Sequence, residues 1–110
     1  MSNEPKNEST SMLRHVVLFG FKPETAPEDI RAIEAAFAAL PAQIDAIHDF
    51  EWGTDVSVEN LAQGYSHCFF VTFRTAADRD AYLPHPAHQA FGARLKPHLE
   101  QVLVVDYWSQ

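Results

Sequence analysis

Two segments dominate what this chain can fold into. Residues 13–21 (LRHVVLFGF) and 65–73 (YSHCFFVTF) are rich in β-branched and aromatic side chains, the composition of extended strands. Alternation puts His15, Val17, Phe19 and Phe21 on one face of the first, with Arg14, Val16, Leu18 and Gly20 on the other; in the second it groups His67, Phe69, Val71 and Phe73. Both faces are largely apolar, so neither suits water. The pattern predicts a sheet with helices on one side and a second cover, a partner subunit, on the other.

Outside these strands the apolar period lengthens to that of helices. Thr25 and Glu28 form a capping-box pair, Pro27 suits a first helical turn, and Ile30, Ile33, Phe37 and Leu40 recur at helical spacing until Pro41 stops the run. Residues 44–56 read as a second extended segment, with Ile47 alternating against His48, Phe50 and Trp52. The polar stretch 54–64 connects to the next strand, with a short helical turn expected around 58–61. Thr75 with Asp78 opens a second helix, which breaks at Pro84-His85-Pro86 and resumes from Ala87 to Leu95. Pro97 ends it, and residues 101–108 (QVLVVDYW) make the last strand.

The order βαββαβ predicts an α+β, ferredoxin-like fold: a four-stranded antiparallel sheet with the helices on one face. Val16, Leu18, Cys68 and Phe70 would lie on the bare face, which is too apolar for solvent and predicts a homodimer built face to face.

At 110 residues with 46% hydrophobic content, the chain has the material for one domain. That domain is expected over residues 13–110, preceded by a polar, disordered leader at 1–12 that lacks the apolar stretch of a signal peptide. Fifteen Asp and Glu against eight scattered Lys and Arg give a net charge of −7, which argues against nucleic acid and membrane surfaces as partners. A single cysteine, Cys68, allows neither a disulfide framework nor a cysteine-based zinc site and fits a cytoplasmic protein.

The candidate chemistry gathers at the helix break. Around a helix restarting near Ala87, His88, Phe91 and Leu95 share the face toward the sheet, so His88 should point toward His15, Phe19, His67 and Phe69, with Tyr82 reaching the same volume. An imidazole beside a phenol in an apolar cavity is a reasonable acid/base pair, because one titrates near neutrality and the other donates to a developing oxyanion. The alternative is that both merely satisfy backbone groups at the break. His85 and His88 are spaced i, i+3, but Pro86 turns the backbone between them and no acidic ligand has diagnostic spacing, so no metal is expected; His85 reads as a helix cap.

HVVLFGFK, WGTDVS, GYSHCFFVTF, DAYLPHPAHQAFG and VVDYW together resemble the stress-responsive A/B barrel (Dabb) family of the dimeric α+β barrel superfamily. The resemblance covers residues 13–108, and its most diagnostic piece is Tyr82 followed by His85-Pro86-x-His88. It implies a cofactor-free, polyketide cyclase-like activity in which Tyr82 and His88 promote an aldol-type proton transfer, and it makes His15 and His67 binding or supporting residues. The ligand would be small and hydrophobic or polyketide-like, with Phe19, Phe37, Phe69 and Phe91 at the pocket wall; these rings could also fill much of its volume, and Glu34 departs from an apolar lining. Two other readings stand beside it: a ligand-binding or stress-associated dimer without chemistry, and a monooxygenase or haem enzyme of the wider superfamily.

Overall fold

A computed structural model describes residues 11–110 of the chain; residues 1–10, most of the predicted leader, lie outside the described residues. Strands β1 (Leu13–Phe21), β2 (Asp49–Thr54), β3 (His67–Phe73) and β4 (Leu99–Trp108) are joined by helices α1 (Pro27–Ala38), α2 (Leu40–Gln43), α3 (Ala76–Tyr82) and α4 (Pro86–Leu95), with one 3-10 turn, Lys96–His98, after α4. The sheet runs β2-β3-β1-β4 and all its pairs are antiparallel, the ferredoxin-like α+β fold that the element order predicts. Ser11 and Met12, assigned to the leader from sequence, are tied into the fold: Met12 N–H donates to Ser109 Oγ at 2.8 Å and Ser109 N–H to the Met12 carbonyl at 2.8 Å. Among the described residues no helix is long and apolar enough to cross a membrane.

Register decides what each side chain can reach. In β1, His15 lies opposite Val71 of β3 and Asp106 of β4, and Phe19 opposite His67 and Val102; residues paired in this way project to the same face. On the helix side Val17, Phe19, Phe69, Val71 and Phe73 are buried with Ile33 and Phe37 of α1 and Phe91 and Leu95 of α4. The helices do not cover β4. Val102 and Val104 share the helix side by register, yet they are 46% and 50% exposed, whereas their β1 partners Phe19 and Val17 are 2% and 6% exposed. On the opposite face Leu103, Val105 and Tyr107 are exposed as well, beside half-buried Val16, Leu18, Cys68 and Phe70.

Several local expectations are corrected. The N-cap of α1 is Ala26, with no side-chain cap, and Thr25 Oγ1 is buried without a partner; Pro27 sets the first turn one residue beyond Thr25, so the capping box does not form. Pro41 does not stop α1, which ends at Ala38, but sits in the first turn of α2, where its missing N–H costs nothing. Residues 44–48 are a turn, not a strand: Ile44 caps α2 and is buried while Ile47 packs against the core, so apolar content there marks packing and β2 begins only at Asp49. Tyr65 and Ser66 precede β3, residues 58–61 form no helix, and β4 starts at Leu99, directly after a 3-10 turn that contains Pro97. Two caps form as expected. Thr75 Oγ1 accepts from Asp78 N–H at 3.0 Å, and His85 Nδ1 accepts from Ala87 N–H at 3.0 Å to start α4.

Gly20 marks the point where β1 slips in register against β4. A Cβ there would stand 2.6 Å from the Gly64 carbonyl oxygen and 2.9 Å from Gln101 Cγ. A backbone oxygen cannot swing aside, so Gly20→Ala should destabilise the fold by roughly 1–3 kcal/mol. A urea titration checks this: the midpoint should fall at constant slope, and an unshifted midpoint would mean that the loop yields freely.

Candidate active site

The helix break supplies the first element of the site. With α3 ended, Pro86 lacking an N–H and the Ala87 N–H given to His85 Nδ1, the Leu83 carbonyl takes two side-chain donors, His88 Nδ1–H at 2.9 Å and Gln89 Nε2 at 3.0 Å. This turns the His88 ring onto Tyr82, 4.5 Å away between centroids. Tyr82 in turn meets the edge of His15 at 5.8 Å and Phe73 at 5.1 Å. His15 Nδ1–H donates to Asp106 Oδ1 at 2.6 Å, and Asp106 Oδ2 accepts from Arg79 Nη1 at 2.9 Å. Hydrogen bonds thus join Arg79 of α3 through Asp106 of β4 to His15 of β1, and ring contacts carry on from His15 to Tyr82 and His88 at the helix break.

Its electrostatics separate donor from acceptor. Tyr82 has no exposed surface, and its hydroxyl makes no hydrogen bond; burial pushes the phenol well above its ordinary range, so it stays protonated with its O–H uncommitted. An unpaired buried hydroxyl costs about 1–3 kcal/mol, and such groups call for an explanation. His88 is pushed the other way: burial lowers its pKa, the Leu83 hydrogen bond opposes this, and His15 and His85 lower it further. At neutral pH the ring is uncharged with its proton on Nδ1, because the carbonyl can only accept. Nε2 is then the basic nitrogen.

His67 belongs to a second cluster. Its position opposite Phe19 puts it four residues along β1 from His15, roughly 13 Å at about 3.3 Å per residue. His67 Nε2 meets Glu34 Oε2 at 2.7 Å, Nδ1 meets Ser66 Oγ at 2.8 Å, and Trp52 lies parallel to the ring at 6.2 Å. The sequence reading gathered His15, His67 and His88 around one volume; the structure brings His15 to Tyr82 and His88 and leaves His67 apart. Phe19, Phe37, Phe69 and Phe91 stand between the two ends. Phe37 stacks on Phe69 at 4.2 Å and meets Phe91 at 4.7 Å, and each of the four is no more than 5% exposed. They pack chiefly on one another.

Asp106 and Arg79 were missed from sequence. Asp106 is the lone charge in QVLVVDYW, and an acid at that place in an apolar strand was the available signal; its partner could not be named without the β1–β4 register. Arg79 looked like any exposed helical cation. Glu34 was noticed only as a departure, and Ser66 not at all.

A ferredoxin-like α+β chain with a tyrosine and a histidine in contact at the break in its second helical segment is the class that fold and site define. Residues 13–109 match the stress responsive A/B barrel domain, and the chain belongs to that family. It is 40% identical over 100 residues to the stress-response A/B barrel domain-containing protein HS1 of Arabidopsis thaliana, across 91% of this chain and 92% of that protein. Identity to the olivetolic acid cyclase of Cannabis sativa is 32% over 95 residues, 86% of this chain and 94% of the cyclase. The hydroxynitrile lyase from Passiflora edulis superposes with a TM-score of 0.85 at 27% identity, covering 90% of this chain and 94% of the lyase. A dimeric ferredoxin-like protein of unknown function from Jannaschia sp. CCS1 does so at 0.76 and 30% identity, covering 87% of this chain and 97% of that one.

The lowered His88 pKa has a sign that can be checked. The unfolded chain takes up the His88 proton first as pH falls below the ordinary value of 6.5, so this residue's contribution to stability is complete above that pH and is lost as pH falls toward the folded value. The melting temperature of the parent should therefore drop more between pH 7 and 5 than that of His88→Gln. Equal slopes would place His88 in an open, unperturbed environment.

Proposed function

We propose that this protein is a cofactor-independent proton-transfer enzyme of the cyclase-like kind. His88 Nε2 removes an acidic C–H proton, and the Tyr82 hydroxyl holds the oxyanion that develops on the adjacent carbonyl. The observation that carries this is the buried Tyr82 hydroxyl without a partner, on a ring whose centroid lies 4.5 Å from that of the half-buried, neutral His88 imidazole: a donor and a base, both unspent. Protons between two carbonyls are within reach of an imidazole, and a phenol donor preorganised for the enolate or aldol oxygen lowers the barrier without charge of its own. His15, held by Asp106, walls the same spot and fixes the Tyr82 ring. The exposed helix-side valines of β4, Val102 and Val104, offer an apolar track for a small hydrophobic or polyketide-like substrate. A cyclase and a lyase among the similar proteins support an enzymatic role.

The test is turnover of linear β-keto thioesters by the purified chain. Tyr82→Phe and His88→Ala should each lower turnover at least ~100-fold, with substrate binding retained in Tyr82→Phe because the ring's packing is kept. Full activity in Tyr82→Phe would end this mechanism and favour a dimer that binds a ligand without chemistry.

The second copy is part of the same proposal. Val16, Leu18 and Phe70, with Leu103, Val105 and Tyr107 of β4, form an apolar face of the kind that a face-to-face homodimer buries. Light scattering at micromolar concentration should give twice the chain mass, and Leu18→Glu should shift the protein toward monomer because it places a charge in the buried face. A monodisperse parent monomer would refute the assembly.

A further inference from the structure

The second histidine cluster has a connectivity of its own. Glu34 Oε2 stands 2.7 Å from His67 Nε2, and Ser66 Oγ stands 2.8 Å from His67 Nδ1. An ionised carboxylate can only accept, so in the neutral ring Nε2 carries the proton and Nδ1 presents its lone pair to the Ser66 O–H. The order is carboxylate, imidazole, hydroxyl: a base within hydrogen-bond reach of a hydroxyl and oriented by a third group. The ring is held in place by Trp52, parallel at 6.2 Å, and by Phe21, edge-on at 5.1 Å. Ser66 is fixed through its own N–H, which donates to the Phe19 carbonyl at 2.8 Å.

Ser66 and the largely buried His67 stand at the wall of a cavity of about 490 Å³ that is also lined by Trp52 and Tyr65 and, from the open face of the sheet, by Leu18 and Phe70. This volume suits a small organic ligand. Thr54, Ser57 and Tyr65 also line it, and their hydroxyls are the donors available to an oxyanion. Glu51 and Asp55 stand at the same wall and disfavour anionic ligands. Leu18 and Phe70 are shared with the face assigned above to the second copy, which would form part of the roof.

We propose that Ser66, His67 and Glu34 are a second reactive centre, independent of Tyr82 and His88, in which Ser66 Oγ accepts the acyl group of small neutral esters. As the Oγ–acyl bond forms, the Ser66 proton passes to His67 Nδ1. When the ester bond breaks, His67 returns that proton to the departing alcohol. Water then attacks the acyl-serine, giving its proton to His67 as its oxygen bonds to the acyl carbon; the Oγ–acyl bond breaks, Ser66 regains a proton, and the acid is released. Glu34 holds the Nε2 proton throughout and acts as a positioning residue.

The test uses the full chain with a neutral alkyl fluorophosphonate, read by mass spectrometry of the adduct, and with p-nitrophenyl butyrate, read by release of the phenol. A single adduct is expected on Ser66, absent in Ser66→Ala at an unchanged melting temperature. Labelling and ester hydrolysis should both slow at least ~100-fold in His67→Gln and should slow in the isosteric Glu34→Gln, which carries the comparison if His67→Gln does not fold. A chain that is not labelled at Ser66 overturns the proposal. So does labelling of Ser66 at the parent rate in both Gln variants, which would reduce the three residues to a structural hydrogen-bond chain.

Discussion

The face-to-face stack of Phe37 on Phe69 is the contact on which the arrangement of polar groups depends. It joins the last turn of α1 to β3 with ring planes 4° apart and centroids 4.2 Å apart, and Phe19, Phe50 and Phe91 close around it. Aromatic contacts of this kind contribute beyond their buried area, and here they also exclude space. A wide cavity under the helices would need these rings to part, so the helix-side face is divided into two ends. One holds His15, Tyr82 and His88; the other holds Ser66, His67 and Glu34. The division follows from residue size: bulky rings at positions 19, 37 and 69 turn what could be one chamber into two separate polar clusters.

Much of this was legible in the sequence, and the parts that were not fail for identifiable reasons. The β1 and β3 alternation, the Thr75 and His85 caps and the break at Pro84–Pro86 are local, and local chemistry fixed them. The element order then predicted the sheet. The errors lie where apolar residues serve packing without periodic structure: Ile44 and Ile47 looked like a strand because they are core residues on a turn. The site was half readable. Tyr82 and His88 share a short stretch and a motif, whereas the Asp106–His15 and Glu34–His67 pairs join residues 91 and 33 positions apart and exist only through register and helix placement. Periodicity could say that His15 and His67 face the helices, but not that antiparallel pairing sends them to opposite ends.

β4 exposes a different constraint. It is the edge strand beside β1, it carries five large apolar or aromatic side chains between 44% and 50% exposed, and it presents them on both faces. An edge strand of this composition is a hazard for a solitary chain, and neither of its faces is covered by the helices of its own fold. Its open face continues the apolar surface of β1 and β3, which a second copy would bury. Its helix-side face leads instead to Asp106 and His15. On the proposed reading the strand separates two demands made of the same residue type, assembly on one side and access on the other, and Asp106 lies on the access side.

The three inward histidines differ most in what holds them, and this distinguishes their chemistry more than their position does. His15 and His67 each commit one ring nitrogen to a carboxylate, an arrangement that orients the ring. His88 has no carboxylate in its hydrogen-bonded set. A backbone carbonyl fixes its tautomer, burial opposes its protonation, and two neighbouring histidines, His15 and His85, add to that opposition. An imidazole kept neutral in this way is available as a base at neutral pH. A base of lowered pKa is also a weaker one, so it can act only on protons already made acidic by their carbonyls and only where the resulting oxyanion finds a donor. In the mechanism proposed above, the Tyr82 hydroxyl, with no other partner, is that donor. The weakness of His88 as a base and the unspent hydrogen bond of Tyr82 are therefore a single requirement: each group is useful at this helix break because the other stands beside it.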